Sequence, residues 1–298
     1  MAYSGLATPL ISVLLPTRGR PQLVRRFLES LLATAEDPDG VEIVLYLDED
    51  DASADLIGEL AANVRRVVGP RVTMGAANSA CLRHASGDIL LLANDDIVVT
   101  TQGWDTRFRA CHARFADGVY LAWPNDGFAS YRISTFPILA RRTCELLGDP
   151  YPAVYQKAFI DTELLDIFMR LKRLGPVRMV YLGTVVFEHH HHRTGKRDVD
   201  ATSRVHLRFV DDATFLARVA ARQLQAERLA AVCANAAVPG EPLPVPAASM
   251  SLNPATALSS IARSILLDAG LPLSRRVYLF IWYCGRYAAA RLLRTTTG

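Results

Sequence analysis

The sequence predicts an α/β protein: a mostly parallel central sheet with helices on both faces, followed by a C-terminal helical extension. Two observations carry this. Short apolar runs alternate with helically spaced segments through the first 125 residues, and such alternation implies a parallel sheet covered on both sides. Polar clusters also stand where apolar runs end, at Thr17-Arg18, Asp48 to Asp51 and Asn94 to Asp96, and ligands of such sheets bind at the carboxyl ends of the strands. With 298 residues, half of them apolar, the chain is long enough to bury a large core.

Leu10 to Leu15 is the first apolar run. Leu23, Val24, Phe27, Leu28, Leu31 and Leu32 then recur at helical spacing after Pro21, a residue suited to a first helical turn. Val41 to Leu47 reads as the second strand, Asp55 to Asn63 as a short helix and Val64 to Val68 as the third strand. Gly75 to Ala85 reads as a helix stopped by Gly87, and Asp88 to Ala93 as the fourth strand. Between 118 and 192 strands are expected around one clear helix, Asp161 to Leu174, with Val177 to Phe187 a further strand. Ala201 to Val232 reads as one or two helices.

A main domain over 1–232 is therefore expected, with halves meeting near residue 125. Residues 233–258 contain Pro239, Pro242, Pro244, Pro246 and Pro254 among alanines and serines, a linker composition. A basic, aromatic tail over 259–298 closes the chain, with a break at Gly270 to Pro272.

Net charge is +3, too small to argue for a nucleic-acid partner. It is uneven: from Arg263 onward six arginines face one acid, Asp268, which leaves −2 on the remainder. Five scattered cysteines with no CxxC pair suggest neither a zinc site nor a disulfide framework. That usage, with no leader-like N-terminus, leads us to expect a cytoplasmic protein, peripheral at the inner membrane face if the tail meets lipid. Tyr278, Phe280, Ile281, Trp282, Tyr283 and Tyr287 stand among the arginines of that tail. It could lie on an anionic membrane, or pack on its own domain or on a second subunit. Packing is favoured because no strict apolar face separates from the arginines.

Asn94-Asp95-Asp96 ends a buried strand in consecutive carboxylates, which need a cation or a metal. Hard oxygen ligands suit a divalent ion; a solvated turn is the plain alternative. Asp48-Glu49-Asp50-Asp51 ends the second strand in the same way, and two acidic strand ends can frame one ligand. In the run His189 to His192, alternation along a strand would put His189 and His191 on one side; a polar surface loop is the alternative. Imidazole beside carboxylate is a reasonable set for a metal of the Mn2+ class. Asp161 and Glu163 open a helix, where they either cap it or poise a general base. Trp123, Asn125 and Asp126 follow another strand and could touch a sugar or an acceptor, although Trp123 is as readily plain core.

The order of these motifs resembles family 2 glycosyltransferases of the GT-A fold. The resemblance rests on Pro16-Thr17-Arg18-Gly19-Arg20, the acidic 48–51 loop, the helix with Asn78, Ala85-Ser86-Gly87-Asp88, Asn94-Asp95-Asp96, Asp161, and His189-x-His191 with Gly195, Lys196 and Asp200. It spans about residues 10 to 202. It implies a metal-dependent, inverting transfer of a sugar from a UDP- or GDP-linked donor to a hydroxyl of a glycan or lipid-linked acceptor, in surface glycan or polysaccharide synthesis. Asp96, His189 and His191 would hold Mn2+ or Mg2+. Thr17, Arg18, Arg20, Asp48, Asp50, Asn78 and Asp95 would grip the nucleotide. Asp161 would be the base, with Trp123, Asn125, Asp126 and Glu163 near sugar or acceptor. Asn94 departs from a strict DxD pattern, which shifts weight to Asp96. A nucleotidyltransferase, or a binding module without catalysis, is the competing reading; against the first, the loop after strand one is poor in glycine.

Overall fold

A computed structural model describes residues 8–57, 63–190 and 209–296. β1 (Ile11–Thr17), β2 (Val41–Asp48), β3 (Val64–Gly69) and β4 (Ile89–Leu92) form the parallel half of an eight-stranded sheet. β5 (Ile97–Val99), β6 (Leu121–Asn125), β7 (Ile138–Ala140) and β8 (Met179–His189) complete it in the order β3-β2-β1-β4-β7-β6-β8-β5. β7 and β5 run against their neighbours; β6 and β8 pair parallel. The three-residue strands β5 and β7 have no sequence signature, because periodicity needs more residues than they contain.

Alternation along each strand sorts the core onto two faces. Ile11, Val13, Leu15, Ile43, Leu45, Ile89 and Leu91 pack on one side, with Val24, Phe27 and Leu31 of α1 (Pro21–Ala33). Leu14, Val44, Leu90 and Leu92 face the other, with Ala77 and Cys81 of α2 (Met74–His84). α3 (Trp104–His112) covers the first face and was not expected from sequence; Gly103 enters it with φ 69°. In the segment expected as a helix from Asp55, the described part is a single 3-10 turn, Ala54–Ile57.

Gly87 sits where β1 and β4 meet. A Cβ there would lie 2.5 Å from Ser12 Oγ and 2.7 Å from the Leu10 carbonyl oxygen. The missing side chain lets its N–H donate to Ser12 Oγ at 2.7 Å.

The second face is closed by helices. These are α4 (Arg141–Leu147), α5 (Ile160–Leu174), α6 (Asp212–Ala217), α7 (Val219–Cys233), α8 (Pro254–Leu266) and α9 (Leu273–Thr296). Ile261, Ile265, Leu271, Leu279 and Tyr283, all in the expected tail, belong to the same core cluster as Leu164, Phe168 and Leu229. The tail therefore packs on its own domain. The proline-rich stretch before it is held down as well: Arg228 donates to the Pro239 carbonyl, and Ala248 N donates to Thr214 Oγ1 at 3.0 Å. Among the described residues no helix is long and apolar enough to cross a membrane.

Candidate active site

The carboxyl ends of β1, β2 and β4 meet at one edge of the sheet, and their polar side chains meet there too. Thr17 Oγ1 donates to Asp95 Oδ2 at 2.7 Å, and Arg20 Nη1 lies 3.0 Å from Asp95 Oδ1. Asp95 is buried. Burial pushes its carboxyl upward; Arg20 and Thr17 pull against that, and the net shift is upward. Arg18 reaches the other way, 2.8 Å from Asp48 and 3.0 Å from Asp50 Oδ2. The guanidinium holds the exposed Asp50 below the usual carboxylate range. Asp51 shapes the loop, accepting from Gly19 N at 2.7 Å and from Ser53 Oγ at 2.7 Å. The β1 loop and the acidic loop are thus tied together by charge.

Asp96 is buried beside Asp95. Antiparallel pairing of β5 with β8 sets His189 opposite Ile97, and brings His189 Nε2 to 3.2 Å from Asp96 Oδ1. Phe136 packs edge-on against the His189 ring at 5.2 Å, fixing its plane. His190 turns instead toward Glu188, 3.3 Å away, while its N–H donates to the Asp96 carbonyl. The opposite facing of His189 and His190 follows the strand alternation. His191, Gly195, Lys196 and Asp200 lie outside the described residues.

Asp161 opens α5 after Phe159, whose φ of 76° is left-handed, an uncommon state for a bulky residue. Phe159 is held there by packing on Phe215 at 5.0 Å and Tyr283 at 6.1 Å. Asp161 Oδ1 accepts from Thr162 N at 2.7 Å, and Ser134 Oγ donates to its backbone carbonyl. Burial pushes the Asp161 carboxyl up; the Thr162 bonds and the nearby His189 pull the other way without cancelling it. Asp161 and the Asp96–His189 pair therefore share one neighbourhood.

Five expected residues are engaged with the protein's own groups. The Asp126 carboxylate is occupied by its own loop, accepting from Phe128 N, Ala129 N, Ser130 N and Thr135 Oγ1. Glu163 lies in a buried network with Tyr155, Arg218 and Arg222. It lies one helical turn into α5, where the buried arginines claim its carboxylate. Trp123 is core, its Nε1 donating to the Ser130 carbonyl at 3.3 Å. Asn125 turns its amide toward the Gly183 carbonyl and accepts from Gly127 N. Asn78 lies buried in α2, Nδ2 donating to the Met74 carbonyl at 2.9 Å. Sequence reasoning missed Ser134, Thr162 and Phe136, which hold Asp161 and His189. They sit at a helix start and in an irregular stretch without periodicity.

Strand order, the switch of direction at β7 and the acidic strand ends define a GT-A type of α/β fold. The family model for glycosyl transferase family 2 matches residues 12–143, somewhat under half of the chain. Staphylococcus aureus TarS (residues 1–349) superposes with TM-score 0.50 at 14% identity, over 76% of this chain and 71% of that one. Glucosyl-3-phosphoglycerate synthase from Mycobacterium tuberculosis, in complex with Mg2+ and UDP, superposes with TM-score 0.48 at 18% identity, over 71% and 80%. Mannosyltransferase PcManGT from Pyrobaculum calidifontis, in complex with GDP-Man and Mn2+, gives 0.45 at 17% identity, over 97% and 79%. The uncharacterized protein y4gI of Sinorhizobium fredii (strain NBRC 101917 / NGR234) is 31% identical over 104 residues. That match spans 33% of this chain and 11% of y4gI.

Proposed function

We propose that this protein is a metal-dependent glycosyltransferase that moves a sugar from a nucleotide diphosphate donor to an acceptor hydroxyl with inversion. The observation that carries the reading is the meeting, at one sheet edge, of the Thr17–Arg20 loop, the 48–51 acids, the Asp96–His189 pair and Asp161. It is supported by the family match over residues 12–143.

The donor set fits a divalent cation. Asp96 offers a buried carboxylate and His189 an imidazole nitrogen 3.2 Å from it. Among the described residues no group of three or more metal-binding side chains is present, so the diphosphate oxygens would supply further ligands, as suits Mg2+ or Mn2+. His191 is proposed as a further ligand from sequence alone. When bound, the ion supplies charge neutralisation for the leaving diphosphate.

The chain's own residues have the other tasks. Arg18, Asp48 and Asp50 form the wall on which ribose and base would lie, and the Arg18 contacts must rearrange as a nucleotide enters. Asp95, paired with Arg20 and hydrogen-bonded by Thr17, fixes the loop that aims Asp96. Asp161 takes the proton of the attacking hydroxyl; its upward-shifted carboxyl makes it a stronger base once ionised. A UDP- or GDP-hexose donor and a glycan or lipid-linked acceptor, in surface polysaccharide synthesis, are the classes this reading favours.

Thermal unfolding with nucleotide sugars tests it. A UDP- or GDP-linked donor should stabilise the protein with Mn2+ and not without it, by about 2.7 kcal/mol at about a hundred times Kd. Asp96→Ala should abolish that stabilisation. Metal-independent binding that survives the substitution would sink the site. Asp161→Asn should keep donor binding and lose about a hundredfold or more in transfer. Binding with no transfer or hydrolysis in the unaltered protein would favour a binding module, and release of diphosphate with a nucleotidyl product a nucleotidyltransferase.

A further inference from the structure

The C-terminal helix α9 is apolar on both sides. Leu279 and Tyr283 point into the core. On the opposite side Leu273, Val277, Tyr278 and Ile281 are exposed, at 68%, 44%, 50% and 65%. A Cβ added at Gly285, on the same side, would meet nothing within 4 Å. A helix that is hydrophobic all round is normally covered all round. Leu267, at the turn into α9, extends the surface and is 75% exposed. The apolar face that periodicity alone did not separate from the arginines is separated here, because docking of α9 decides which side is outside.

The charge around this face selects what covers it. Of the six arginines after residue 262, Arg286 pairs with Asp212, and the lone acid Asp268 is taken by Arg170. Among the described residues, Arg276 and Arg291 reach backbone carbonyls and a tyrosine hydroxyl rather than an acid, and Arg263 is exposed. A second copy docked on the face would set one basic rim against another. An anionic surface would complement it. Apolar residues flanked by arginines along a helix of about 36 Å match an interfacial helix that lies in the headgroup plane.

We propose that α9 docks the protein on a membrane rich in anionic phospholipid, through Leu273, Val277 and Ile281 with Arg291 on the same helix. The inference is independent of the transferase reading, since its test uses no donor and no turnover. The full chain is sedimented with vesicles of phosphatidylglycerol and phosphatidylcholine in equal parts, and with phosphatidylcholine alone. Binding to the mixed vesicles, weakened by salt and absent on neutral ones, is expected. Val277→Asp/Ile281→Asp should lower vesicle affinity at least about tenfold with unchanged thermal unfolding, since both residues are exposed. Arg291→Glu should weaken it as well. No binding to the mixed vesicles, equal binding to neutral ones, or a solution dimer dissolved by Val277→Asp/Ile281→Asp would each overturn the proposal.

Discussion

Asp95 is a buried carboxylate held by residues at and just after the end of β1. Thr17 and Arg20 take its two oxygens, so the next residue, Asp96, is left to face His189. Arg20→Ala should leave Asp95 buried beside Asp96 without its cation, at a cost of about 3 kcal/mol. Urea unfolding at neutral pH would read this. The loss should shrink at acid pH, where Asp95 is neutral, and Asp95→Asn in the same chain should recover part of it. Equal losses at both pH values would mean that Arg20 acts by packing rather than by charge. At this scale the sequence was a good guide to types and a poor one to partners. Asn94-Asp95-Asp96 was legible as an anionic strand end. That Arg20 belongs to Asp95, and Arg18 to Asp48 and Asp50, depends on how two loops 30 to 75 residues apart are aimed.

Among the elements, β1, β2 and the turn before β4 are joined by one side chain. Glu42 on β2 accepts from Ser12 Oγ on β1, from Ser86 N and Oγ, and from Gly87 N at 3.1 Å. Burial raises its carboxyl, but these donors outweigh burial and hold it below its ordinary value. A depressed carboxylate stabilises the fold above its unfolded pKa, and that contribution is lost as pH falls through the folded value. Glu42→Gln should therefore cost about 1–2 kcal/mol at neutral pH. The gap from the parent chain should close as pH drops through the carboxylate range, in unfolding curves taken at a series of pH values. The strands themselves were readable because their alternation is strong; β5 and β7 were not, being three residues each. β5 matters most, since its antiparallel pairing with β8 is what carries His189 to Asp96.

On the scale of the whole molecule, the segment that reads as a tail is part of the core. Buried ion pairs run from Asp166 to Arg170 and Arg222, and from Arg170 on to Asp268 between α8 and α9. Arg222→Ala should destabilise by about 3–5 kcal/mol, because it strips a buried carboxylate of a partner. Ile261→Ala, at a position with no exposure, should cost about 2–5 kcal/mol. Denaturant midpoints check both. A loss below about half a kcal/mol for Ile261→Ala, the range of ordinary surface changes, would restore the picture of a loosely attached tail. The same packing reaches the site: Tyr283 of α9 stacks on Phe159, two residues before Asp161.

The sequence by itself determined the architecture of the parallel half, the order of the acidic strand ends and the family they resemble. Those follow from local alternation and from residue types at strand ends, which are written in short windows. Tertiary structure decided what each polar group faces. It paired Asp95 with Arg20, drew Glu163 away into a buried arginine network, turned Asp126 into its own loop and set His189 beside Asp96. It also gave α9 an inner and an outer side. Each outcome depends on contacts between residues far apart in the chain, where packing geometry and the cost of burying an unpaired charge, rather than spacing, choose the partner.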